Sequence, residues 1–197
     1  MTIKIIGTNH LMKKEEIKEI LEKENPEVIG IELCEARVNA IMTNVLQEKK
    51  PEGNLLNKIG NSIREKAEEK GLDYGSDMKA ALEYALMNKL EYVPIDMPQL
   101  KIQELFSKIP KEEQEGFARE LAEFQAGEIE EKVNEEQFTM QLKERYPIAF
   151  EFLTNMRNLY MANRILIAER ENKEKKIVVI MGSAHVNSIT KLIGGKK

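Results

Sequence analysis

Two stretches of this chain, Ile3–His10 and Val178–His185, share one design: an apolar run that ends in Gly-x-x-His. They hold the chain's only two histidines, His10 and His185, 175 positions apart. Imidazole is the side chain that exchanges protons near neutral pH, and in its neutral form it ligates metals. If both runs are parallel strands, both imidazoles arrive at one edge of one sheet. Such a pair suits metal ligation or acid–base chemistry.

The elements that would carry them are legible. Ile3–Ile6, Val28–Glu32, Tyr92–Ile95 and Ile177–Met181 are short β-branched runs without polar alternation, as expected of parallel strands covered on both faces. Lys13–Glu24 has Ile17, Ile20 and Leu21 at helical spacing and stops before Pro26, so β-α-β order is expected at the start. Helices are expected over Glu35–Lys49, Leu55–Lys70 and Ser76–Lys89. Residues 99–173 show no strand signal and read as a large helical insertion before the last strand. The fold class is α/β, a short, mostly parallel central sheet flanked by helices, in a single domain over residues 1–197.

In such sheets ligands bind beyond the carboxyl ends of the strands. Those ends carry Gly7-Thr8-Asn9-His10, then Glu32-Leu33-Cys34 with Arg37 one turn later, then Asp96, then Gly182-Ser183-Ala184-His185. Gly7 and Gly182 are expected to let the backbone turn from strand to helix, and Thr8 or Asn9, and Ser183, to cap the helices. Glu32 lies in an apolar run and is either a chemical group or the ion-pair partner of Arg37. Asp96 is either a helix cap or a reactive carboxylate. Cys34 reads as a small buried residue rather than as a thiolate nucleophile.

Composition narrows the classes. Hydrophobic residues make up 42% of the 197 and charged residues 32%, enough for a packed core with a well-solvated surface. A net charge of −4 argues against a nucleic-acid footprint. One cysteine excludes an internal disulfide and fits a reducing compartment. The longest apolar stretch, Tyr146–Ala168, is interrupted by Glu151, Arg157 and Arg164, so no membrane span is expected, and a cytoplasmic location follows as the expectation. The acid-rich stretch 111–136 holds ten Glu against three Lys or Arg. It reads as a solvated helix face with a buried stripe of Phe117, Leu121 and Phe124.

Taken in order, IIGTNH, PEVIGIELCEAR, YGSDMKAALEYA, YVPIDMP, MRNLYMANRI and VVIMGSAHVNSI resemble the TraB family, which includes the PrgY pheromone-shutdown and TIKI proteins. The resemblance implies the erythromycin esterase/ChaN-like superfamily fold and a metal-dependent, peptidase-like hydrolase. It carries the essential positions onto His10, Glu32 and His185. It adds Asp77, where the family has Glu, as a further metal ligand, and Arg157 and Asn158, with Arg37, as substrate-binding residues. Asp77 is one methylene shorter than the usual Glu, and Met97 stands where the family has Arg beside Asp96. The implied cofactor is a divalent ion, Mn, Co or Zn, and the implied partner a peptide or small-molecule substrate. Two alternatives stay open: a metal-free hydrolase with a histidine base, and a protein that sequesters a peptide or cofactor without turnover. A homodimer through the helical insertion also stays open.

Overall fold

The computed structural model describes residues 2–8, 12–43, 75–125 and 135–194, together with Glu65 and Glu68. Four strands, β1 (Thr2–Thr8), β2 (Val28–Ile31), β3 (Glu91–Pro94) and β4 (Lys176–Gly182), form one sheet. Its order is β1-β4-β2-β3, and every pairing is parallel. The register aligns the carboxyl ends: Thr8 lies opposite Gly182, and Ile31 opposite both Ile180 and Pro94.

The helices are α1 (Lys14–Glu24), α2 (Glu35–Met42), α3 (Ser76–Met87), α4 (Gln99–Ser107), α5 (Lys111–Gln125), α6 (Glu135–Arg145), α7 (Pro147–Phe150), α8 (Met156–Glu171) and α9 (Ser183–Gly194). A π-helical turn, Glu151–Asn155, joins α7 to α8. α1 forms where expected: Glu16 accepts the Lys13 N–H at 2.8 Å, Ile17 and Leu21 are buried, and Asn25 ends the helix in the left-handed conformation. The expected extension of α2 to Lys49 and the helix over Leu55–Lys70 lie outside the described residues, apart from Glu65 and Glu68, both helical.

The unbroken apolar character of β4 has a simple cause. Val178 and Ile180 pack with Ile17, Leu21, Val38 and Leu82 of α1, α2 and α3, whereas Ile177, Val179 and Met181 pack with Met161, Ile165 and Ile189 of α8 and α9. Both faces are covered, so polar residues have no place in the strand. The β1–α1–β2 passage is present, but its strands are not neighbours, because β4 inserts between them. The helices that follow β1 and β2 cover one face and the helix that follows β4 covers the other. A crevice is therefore expected on each side of β4, at the carboxyl edge.

The insertion builds its own small core from Phe106, Phe117, Phe138, Leu142 and Phe150, with the Phe124 and Phe138 rings stacked at 4.0 Å. Part of its acidic surface has structural work. Glu113 accepts the N–H groups of Ile148 and Ala149, each at 2.9 Å, and Glu120 accepts the Tyr146 hydroxyl at 2.7 Å. Among the described residues, no helix is long and apolar enough to cross a membrane.

At the opposite edge of the sheet, Glu91 ties β3 to the α8–β4 connection. It accepts from Lys175 at 2.9 Å and from Asn172 at 3.0 Å. These two bonds, Lys175 foremost, hold its carboxyl below the ordinary glutamate value. A lowered carboxyl stabilises the fold only while ionised, so its contribution is present above the ordinary glutamate range and is lost as pH falls through the folded value. Glu91 is 47% exposed, which limits the effect. Glu91→Gln is expected to cost less than about 1 kcal/mol at neutral pH. Urea titrations across pH should show that difference vanishing in acid, and a difference that persists there contradicts the pairing.

Candidate active site at the carboxyl edge of the sheet

Glu32 is the first residue beyond β2, and its N–H still bonds the Ile180 carbonyl of β4 at 3.1 Å. That bond keeps its side chain at the β2–β4 crevice, where it is 6% exposed. Its Oε2 accepts the Gly182 N–H at 2.6 Å, and its Oε1 accepts Arg157 Nη2 at 3.0 Å. Asp96, just past β3, accepts the Met97 N–H at 2.8 Å and Arg157 Nε at 3.0 Å. One guanidinium therefore bridges carboxylates from two neighbouring strand ends. Burial lowers the tendency of Arg157 to hold its proton, but the charges of Asp96 and Glu32 outweigh burial and raise its pKa further above the arginine value.

His185 lies in the first turn of α9 and is buried. Its Nδ1 is 2.6 Å from Asn158 Oδ1, and its Nε2 is 3.4 Å from Glu32 Oε1. An amide oxygen at Nδ1 favours the tautomer with the proton on Nδ1, which turns the Nε2 lone pair toward Glu32. Asn158 is itself buried, on the stripe of α8 that also carries Met161, Ala162 and Ile165. Arg157 is rotated one residue off that stripe, toward the strand ends.

Asp77 is fully buried at the start of α3, on the other side of β4. Its Oδ2 accepts the Thr8 hydroxyl, and its Oδ1 accepts the Met78 N–H at 2.7 Å. The Thr8 hydroxyl thus serves Asp77 rather than a helix N-terminus. Gly7 has a negative φ, and its role is close approach: a Cβ there would lie 2.9 Å from Val186 and 3.1 Å from the Ser183 Cα. α9 leaves the sheet hard against β1 for that reason.

Of the residues singled out from sequence, Glu32, Asp96, Arg157, Asn158 and His185 join one bonded cluster, and Asp77 stands beside Thr8. His10 and Asn9 lie outside the described residues. Glu32 pairs with Arg157, not with Arg37, which stands exposed on α2. The missing cation beside Asp96, where Met97 stands, is likewise supplied by Arg157. Asp96 does not cap α4, whose N-cap position is Pro98. Cys34 occupies the N-cap position of α2 without a capping bond and is buried.

Two residues escaped the sequence reading. Tyr160 and Arg164 line a cleft of about 280 Å³ together with Cys34, Glu35 and Asp96. Their spacing from Arg157, three and seven positions, places them on one helix face, a signal the sequence does contain.

The ligand set expected from the sequence includes His10, which lies outside the described residues. No three His, Cys, Asp or Glu side chains among the described residues gather as a ligand set. A cation on Glu32 Oε1 would sit against the Arg157 guanidinium, and like charges at that range repel strongly.

No family model matches the chain. A protein of Methanocaldococcus jannaschii, Uncharacterized protein MJ1365, is 29% identical over an alignment of 214 positions, gaps included, that takes in 97% of this chain. The chain spans about half the length of that relative, 53%. Among solved structures, an erythromycin esterase, the EreC H289N mutant in its open conformation, shares 14% identity at a TM-score of 0.40, over 91% of this chain and 60% of the other.

Proposed function

We propose that this chain is a TraB-like hydrolase of carboxylic amides or esters and that it works by acid–base chemistry at Glu32 and His185. The observation that carries this reading is the buried chain Arg157–Glu32···His185–Asn158 at the crevice beside β4. The ordered resemblance of its six sequence segments to the TraB family supports the hydrolase class. The Arg157 bridge favours the metal-free form of that reading over the divalent-ion form.

The chemistry follows from the geometry. A separation of 3.4 Å between His185 Nε2 and Glu32 Oε1 is long for a direct hydrogen bond. A water lying beside the pair can donate one hydrogen to Nε2, with Glu32 Oε1 near enough to stabilise the charge that forms there. As the water oxygen attacks the substrate carbonyl carbon, its proton passes to Nε2, and the imidazolium is stabilised by the Glu32 carboxylate. The same proton then goes to the departing amine or alkoxide. Asn158 fixes the tautomer, as a carboxylate does in other imidazole-based sites. Arg157 keeps Glu32 ionised and stationary. The N-terminal end of α9 adds positive potential where the carbonyl oxygen gains charge.

The test is a panel of aryl esters and N-acylated peptides, assayed with the protein before and after treatment with a strong chelator. Turnover that survives chelation is the expected result. Turnover lost on chelation and restored by Mn, Co or Zn would return the site to metal chemistry, with His10 among its ligands. Stoichiometric binding of a peptide recovered intact would instead mark a sequestering protein.

A further inference from the structure

The cleft of about 280 Å³ is a wall of the same site, because Asp96 both lines it and holds Arg157. It is bounded by the start of α2 at Cys34 and Glu35, by Pro94 at the end of β3, and by Tyr160 and Arg164 of α8. Arg157 and Arg164 are seven residues apart on α8, two helical turns or about 10 Å along the axis. The cleft therefore runs from the ion-pair cluster along one face of that helix.

The two arginines are held differently. Arg157 is saturated by two carboxylates. Arg164 is half-buried, and its Nε and Nη2 both lean on a single neutral acceptor, the Pro94 carbonyl, at 3.3 Å. Among the described residues Arg164 makes no ion pair. A guanidinium has five N–H donors, so the Nη1 pair and one Nη2 hydrogen are left for a ligand. Holding the fork by its Nε edge presents the opposite edge as a rigid bidentate receptor for an oxyanion.

The surrounding charge selects the anion. Glu35 and Asp96 share the wall with Arg164, and Asp96 shares the single charge of Arg157 with Glu32. With these carboxylates near Arg164, each further negative charge on a ligand adds repulsion, so a monoanion is accepted far better than a dianion. The volume lies just below the usual range for small-molecule pockets, enough for a chain terminus and one residue. We propose that Arg164 receives a substrate carboxylate and so restricts the enzyme to acyl compounds that carry a free monoanionic carboxylate, such as the C-terminal residue of a peptide. This inference rests on the hydrolase reading for its use of the word substrate, but the binding itself does not depend on catalysis.

The experiment is a backbone NMR titration of the full chain with N-acetylglycine, with its neutral amide N-acetylglycinamide, and with inorganic phosphate. N-acetylglycine should give saturable shifts at Ala36 and Tyr160, the amide none, and phosphate weaker shifts than N-acetylglycine. Arg164→Gln should weaken the N-acetylglycine response about tenfold or more. Arg164→Lys, which keeps the charge and loses the fork, should fall between, and it decides the matter if the Gln variant fails to fold. His185→Ala should bind N-acetylglycine as the wild type does, so a failure of the hydrolase reading leaves this result standing. Equal binding of acid and amide, no saturable shift with the wild type, tighter binding of phosphate, or full binding in the Arg164 variants would each overturn the assignment.

Discussion

Arg157→Met is expected to destabilise the fold by about 3–5 kcal/mol, because it strips one cation from two buried carboxylates at once. Glu32 and Asp96 are 6% and 5% exposed, so water cannot take the place of the guanidinium. Methionine keeps most of the volume of the arginine stem, which makes the loss electrostatic rather than a cavity effect. The pH dependence separates the two causes. Protonating either carboxylate removes a buried charge, so the deficit of the variant should shrink as the solution is acidified. Urea denaturation across pH measures this directly. A loss below about 1 kcal/mol, the value of an exposed pair, or a deficit independent of pH would mean that Arg157 only fills space.

The largest catalytic effect is expected at His185. His185→Ala removes the proton acceptor and should lower kcat by about 10²–10⁴; the residue shares the buried face of α9 with Ile189, so circular dichroism of the variant must show a folded chain before the rate is read. Asn158→Ala should cost less. The imidazole stays in place, but nothing then selects the tautomer that turns the Nε2 lone pair toward Glu32. The informative comparison is between the two variants on one ester substrate from the panel. Equal activity of His185→Ala and wild type would remove this residue from the chemistry.

Local pattern carried much of this architecture. The four strands lie within about two residues of their expected limits, since apolar β-branched runs bounded by loops leave few alternatives. Glu32, Asp96 and His185 could be placed at one edge because parallel strands deliver their carboxyl ends together. Strand order could not be read, because no local property of β4 says that it enters between β1 and β2. For the same reason local pattern offers Glu32 only Arg37, five positions away, as an ion-pair alternative, whereas the pair it makes is with Arg157, 125 positions away. Only the packing of α8 over the sheet makes that pair. Arg164 belongs to no motif; its spacing puts it on the helix face of Arg157, but only the cleft gives that position a meaning. The π-helical turn Glu151–Asn155 was also invisible to periodicity. It stands immediately before Arg157 and Asn158, where an extra residue in the turn resets which face of α8 meets the site.

The central claim is that Glu32 and His185 act as one unit on a single water. The direct measurement is a double-mutant cycle on kcat/KM for the best panel substrate, with Glu32→Gln, His185→Ala and the double variant. Groups that act as a unit are strongly non-additive. The predicted result is that each single change removes most of the activity and that the double variant is no worse than the weaker single one. Losses that multiply in the double variant, or activity that survives either single change, would contradict the account.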